Sequence, residues 1–215
     1  MSPVIYIIFI ALSFVASLTV YFSSQKNIYL LFFPVFLFFT LVVEFIGFYS
    51  FSKGRPSITL YNFFTSFEFL FYMLLLRNVI HNLKAKKVIF HTAWLYILLL
   101  LINFLFILKI SAFSATTYAL GCLVITGICI YYFYELFQST RSLNLLRQPI
   151  FWICVGLLFF YCCSFPIFGL YNFLNKAPRI IQKNLQTILV LLNVFLYSSF
   201  TIAFLCRIRV RNSTS

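Results

Sequence analysis

Residues 58–76 read ITLYNFFTSFEFLFYMLLL, a run of nineteen positions in which Glu68 is the sole charge. That length matches the ~20 residues an α-helix needs to cross a hydrocarbon core about 30 Å thick. Tyr61, Thr65, Glu68 and Tyr72 recur at i, i+4, i+7 and i+11, so they share one stripe of such a helix. A helix surrounded by lipid alone would carry no polar stripe. The segment therefore reads as a transmembrane helix with one face turned toward protein.

Comparable runs occur at 4–22, 28–51, 88–109, 112–137, 150–173 and 185–206. The expected fold class is all-α: a polytopic transmembrane bundle of seven helices forming a single domain over residues 1–215. Composition agrees, with 63% hydrophobic residues, 31 Phe and only 9% charged residues, against about 25% charged in a soluble domain. The runs are separated by polar breaks at 23–27, 52–57, 77–87, 109–114, 141–148 and 175–184. The break at 109–114 is the weakest. Without it, its two flanking runs would merge into about 50 residues, more than helix tilt can absorb. The connections, about a dozen residues at most, leave no room for a soluble catalytic or kinase domain.

The net charge of +13 comes from sixteen Lys and Arg residues scattered over every connection. Nucleic-acid binding calls for a clustered basic face or tract, so no nucleic-acid partner is expected, and the lipid bilayer is the natural partner for such dispersed cations. Lys and Arg favour cytoplasmic connections. With the N-terminus outside and the C-terminus cytoplasmic, ten of the sixteen fall inside: Lys26, Arg77, Lys84, Lys86, Lys87, Arg141, Arg147, Arg207, Arg209 and Arg211. The N-terminal run has no preceding cation, unlike a cleaved signal peptide, and is kept as a span. The expected location is the cell membrane, with multiple passes.

The chain has three carboxylates, Glu44, Glu68 and Glu135, and no aspartate. An acid inside a membrane span is costly unless paired or wetted, which makes it a functional-site candidate. Thr40, Glu44 and Gly47 share a face of the second span, and Gln186, Asn193, Tyr197 and Thr201 share a face of the seventh. At 1.5 Å per residue from the outer ends, Glu44 lies ~10 Å deep, Glu68 ~15 Å, Asn62 ~6 Å, Asn103 ~9 Å and Asn193 ~12 Å. Thr117, Tyr118 and Ser164 fall at comparable depth, and Pro166 opens a helix carbonyl nearby. The candidate ligand-binding residues are Glu44, Glu68, Asn62, Tyr61, Thr65, Tyr72, Asn103, Tyr118, Asn193 and Tyr197. Two readings stand for the acids: an outward polar cavity that binds a cationic or hydroxyl-rich ligand or exchanges a proton with it, and a clamp in which each acid meets a Tyr, Thr or Asn of a neighbouring helix. Glu135, at the inner end of its helix, is expected to form an interfacial tether to Arg141 or the 77–87 stretch.

Hydrolysis inside a membrane usually calls for an aspartate dyad, a Ser–His pair or a metal held by His and carboxylates, and aspartate is absent. His81 and His91 lie toward the opposite end from Glu44 and Glu68, and the six cysteines all lie in apolar runs without a CxxC spacing. No catalytic residue, metal or cofactor is assigned, and an enzyme is disfavoured. A receptor-like sensor of a small ligand is the leading expectation. The alternatives are a small proton-coupled transporter and a non-catalytic subunit that holds a cytoplasmic or membrane protein partner.

Overall fold

The computed structural model describes residues 4–22, 28–54, 57–103, 105, 114–138, 145–174 and 178–212, all helical or in short connections, with no strand among them. The helices are α1 (Val4–Ser17), α2 (Ile28–Leu31), α3 (Phe33–Ser52), α4 (Ile58–Val79), α5 (Leu83–Ile102), α6 (Ala115–Gln138), α7 (Pro149–Gly169), α8 (Tyr171–Leu174) and α9 (Arg179–Asn212). α3, α4, α5, α6, α7 and the Arg179–Cys206 part of α9 are each long and apolar enough to cross a membrane. The first expected span is shorter. It runs Val4–Val20, counting a closing 3-10 turn, which is roughly 25 Å of helix. Of the expected breaks, 23–27, 55–56, 109–113, 141–144 and 175–177 lie outside the described residues.

Six helices close into a ring: α1 packs on α3 and α9, α9 on α7, α7 on α6, α6 on α4, and α4 on α3. α5 packs outside this ring, chiefly against α4 and α6. Each helix buries one strip and leaves a broad apolar face open. α3 buries Phe33, Phe36, Leu37, Thr40, Val43 and Gly47 while exposing Val35, Phe38, Phe39, Phe45 and Phe48. Water tolerates apolar patches of only a few hundred Å², so an exterior of this kind calls for lipid around it.

In lipid, helix association draws on close packing rather than on water exclusion. Phe33 is wholly buried, with ring centroids 5.1 Å from Phe200, 5.3 Å from Phe204 and 5.7 Å from Phe71. Phe36 stacks on Phe71 at 4.1 Å. These rings join α3, α4 and α9, and well-placed aromatic pairs contribute about 0.5–1.5 kcal/mol each beyond the area they bury.

Several boundaries differ from those read off hydropathy, each for a local reason. Pro34 at the start of α3 lacks an N–H, and the expected continuous run 28–51 is split into α2 and α3 there. α3 ends on Gly54, whose φ of 70° is the left-handed turn that glycine makes without strain. α5 begins at Leu83 rather than 88, because the Asn82 side chain accepts from the Lys84 amide and caps the helix one turn early. The basic stretch 77–87 therefore shrinks to a connection of 80–82, with Arg77 in α4 and Lys84, Lys86 and Lys87 in α5. α9 starts at Arg179, not 185, since the Pro178 carbonyl accepts from Ile181 and Gln182 and sets the first turn. At 34 residues, α9 is ~51 Å long, well beyond the hydrocarbon core.

Glu135 does tether the α4–α5 connection, but through backbone amides. Its carboxylate accepts from His81 N–H at 2.9 Å and from Asn82 N–H at 2.8 Å. Acceptors at the start of a helix also meet the positive end of its dipole, which offsets the three lysines crowded there. Glu135→Ala is expected to speed hydrogen exchange at the His81 and Asn82 amides and cost about 1 kcal/mol, because water replaces part of what is lost. Unchanged exchange at both amides would contradict this tether.

Candidate functional site

The polar residues inside the ring gather around two carboxylates. Glu44 of α3 accepts through Oε2 from the Tyr6 hydroxyl of α1 at 2.8 Å and from the Tyr61 hydroxyl of α4 at 3.1 Å. Glu68 of α4 accepts through Oε1 from the Tyr161 hydroxyl of α7 at 3.2 Å. The two acids lie within electrostatic reach of each other. Tyr72, Tyr118 and Tyr197 are neighbours of Glu68 in the same sense, and Tyr197 also of Glu44. Every ring helix thus contributes: α1 by Tyr6, α3 by Glu44, α4 by Tyr61, Glu68 and Tyr72, α6 by Tyr118, α7 by Tyr161 and α9 by Tyr197.

Two glycines let these elements approach. A Cβ at Gly47 would collide with the Tyr61 phenol, so α3 comes close enough to α4 for Tyr61 to reach Glu44 one turn away only because residue 47 has no side chain. A Cβ at Gly121 would lie 2.7 Å from three atoms of the Phe69 ring. That ring is buried against Tyr96, Tyr118 and Tyr161 at centroid distances of 5.8, 5.2 and 5.3 Å, and so orders the tyrosines around Glu68. Tyr61 meets Gly47 with the far end of its half-buried side chain, which can turn aside by giving up its bond to Glu44, whereas the buried Phe69 ring is packed among three tyrosines. Gly47→Ala is accordingly expected to keep the fold, within about 1 kcal/mol, yet detach Tyr61 from Glu44 and reproduce the phenotype of Tyr61→Phe. A Gly47→Ala protein that differs from Tyr61→Phe in every binding or transport measurement would contradict it.

Glu44 and Glu68 are partly exposed as residues, while their carboxyl groups lie deep among the neighbouring side chains. Two wholly buried hydroxyls beside this centre, Tyr72 and Ser164, have no well-formed hydrogen bond among the described residues. Such groups are costly unless something else meets them. Ser164 stands one turn from Tyr161 on α7, just before Pro166, which sits inside the helix.

Other polar residues named from the sequence lie elsewhere. Asn62, Asn103, Ser114 and Thr117 form a separate buried knot between α4, α5 and α6. The Asn103 amide donates to the Ser114 and Thr117 hydroxyls, and the Ser114 N–H donates to Asn62 at 3.3 Å. Thr65, Asn193 and Thr201 turn back on carbonyls of their own helices, those of Tyr61, Leu189 and Tyr197, and Gln186 is exposed. Tyr6 and Tyr161, which hold the acids, are not among the residues named as candidates from the sequence; their signal is sparse, with Ser13 and Ser17 at i+7 and i+11 from Tyr6 and Ser164 at i+3 from Tyr161. Among the described residues no three His, Cys or Glu side chains converge as a metal would require.

Fold and site together define a class: an all-helical bundle with six helices able to cross a membrane, compatible with a multi-pass integral membrane protein, built around a glutamate–tyrosine centre. The chain matches no protein-family model, no curated protein and no solved structure.

Proposed function

We propose that the glutamate–tyrosine centre binds a small organic cation, and that the chain acts as a receptor-like sensor in the cell membrane. It would cross seven times as one domain, with its N-terminus outside. The observation that carries this reading is the convergence of all six ring helices on two neighbouring carboxylates. Two acids supply counter-charge, and aromatic rings around them add cation–π attraction of about 0.5–2 kcal/mol each to an ammonium group. The Tyr72 hydroxyl beside Glu68 and the Ser164 hydroxyl, which has no hydrogen bond among the described residues, supply acceptors for a cation that carries N–H groups. A ligand that bridges several helices shifts the ring toward whichever arrangement it binds better, and that shift is the signal a sensor needs.

A proton-coupled transporter is the second reading, favoured by Pro166. A proline inside α7 beside the buried Ser164 removes a helix hydrogen bond where a moving element would bend. Radiolabelled tetramethylammonium and proteoliposomes separate the readings. Saturable binding without accumulation supports the sensor. Accumulation that collapses with the proton gradient supports the transporter. Neither binding nor uptake for tetramethylammonium, choline and spermidine alike would leave the acids as helix clamps, and the chain as an assembly subunit for a protein partner.

A further inference from the structure

On the far side of α4 from the acids' ring, α5 and α6 leave a groove of about 460 Å³ between them. Val88 and Thr92 of α5 and Leu123 and Gly127 of α6 form its walls, with Lys84 and Tyr131 toward one end. Lys84 is exposed there, and Lys87 lies one turn on along α5, also exposed. The nearest carboxylate, Glu135, is already engaged by the His81 and Asn82 amides. From Lys84 to Thr92 the groove follows eight residues of α5, ~12 Å of helix, which fits inside one leaflet of a core about 30 Å thick.

Gly127 is the informative residue. Glycine inside a helix is less favourable than alanine, and its usual justification is a close helix neighbour. At Gly47, Gly121 and Gly156 a Cβ would meet another helix, whereas at Gly127 it would meet nothing within 4 Å. The missing side chain serves the open groove and not a helix contact.

We propose that this groove holds one acyl chain of an anionic phospholipid, with its phosphate at Lys84. The apolar walls suit a hydrocarbon chain, and the lysines at a single end complement a single anionic headgroup. Ala85, Thr92 and Gly127 in the walls are small enough to admit a partner helix as well, and the exposed cation at one end of the groove is what favours an anionic lipid as the occupant. This inference does not rest on the cation site, which involves other faces and other residues.

Native mass spectrometry of the full chain, released from nanodiscs with equal phosphatidylglycerol and phosphatidylcholine, tests it with Gly127→Leu and Lys84→Gln beside the wild type. The wild type is expected to retain one phosphatidylglycerol in preference to phosphatidylcholine. Gly127→Leu, whose first added carbon meets nothing within 4 Å, projects into the groove and should retain neither lipid. Lys84→Gln should still retain a lipid but lose about fivefold of the headgroup preference, the change one juxtamembrane cation makes. Equal retention of the two lipids by the wild type, or undiminished retention by a Gly127→Leu protein of unchanged melting temperature, would overturn the proposal. So would a peptide or protein mass retained in place of lipid.

Discussion

Glu68→Gln is expected to weaken tetramethylammonium binding about 30-fold or more, since removing one member of a buried charge pair costs about 2–5 kcal/mol. The substitution keeps the size of the side chain and an oxygen that still accepts from the Tyr161 hydroxyl, which lies 3.2 Å from Oε1 in the native arrangement. The ring should therefore stand, and the loss should be read in affinity, not in stability. Glu44→Gln keeps an acceptor for Tyr6 and Tyr61 in the same way and should lose affinity to a similar degree. In the proposed site one ligand meets both acids, so the double variant is expected to lose less than the sum of the singles, as contacting groups do. Equilibrium binding in nanodiscs, with melting temperatures measured alongside, decides the matter. If the acids only staple helices, glutamine will serve almost as well, and whatever binding there is will be indifferent to both changes.

Gly121→Leu is expected to have the largest effect on folding. The first added carbon would already lie 2.7 Å from the Phe69 ring, and Phe69 is 1% exposed with tyrosines on three sides. Overpacking of this kind costs about 1–3 kcal/mol, and more when the blocked group cannot move. Either α4 and α6 separate or Phe69 turns and displaces Tyr118 and Tyr161. Both outcomes reach Glu68. The expected result is a lower melting temperature together with loss of binding at Glu68, in contrast to Gly47→Ala, where the fold survives. A Gly121→Leu protein with unchanged melting temperature would mean that α4 and α6 do not meet at this seam.

How much of the fold and the centre is legible in the sequence follows from what helical periodicity can carry. Spacing along one helix places Glu68 with Tyr61 and Tyr72, and Glu44 with Gly47, because residues at i+3, i+4 and i+7 share a face whatever the bundle does. It cannot assign partners across helices. Tyr6 and Tyr161 are two of fourteen tyrosines, and although Ser13 and Ser17 share a face with Tyr6 and Ser164 with Tyr161, spacing within one span does not say which acid each meets. Depth counting groups Asn62 and Asn103 with the acids, but equal depth is not proximity, and they face one another through Ser114 and Thr117 at the α4–α5–α6 junction. Thr65, Asn193 and Thr201 are polar by type, yet hydroxyl and amide groups on a helix can satisfy themselves on the preceding turn, as these do. The helix starts at Leu83 and Arg179 are hidden because lysine, arginine and glutamine lower mean hydropathy even where their stems lie along a helix and only the heads reach water.

The centre's accessibility is the claim on which the functional reading depends, and covalent labelling measures it whatever the natural ligand is. A hydrophobic carbodiimide reacts with carboxyl groups that it can reach from an apolar medium, and peptide mapping by mass spectrometry locates the adduct. The expected result is labelling at Glu44 or Glu68, or both, that falls progressively as tetramethylammonium, choline or spermidine is added, while any labelling of Glu135 is indifferent to these cations. Glu44 and Glu68 left unlabelled, or labelled to the same extent at every concentration of all three cations, would contradict a cation site and leave the two acids as struts between helices.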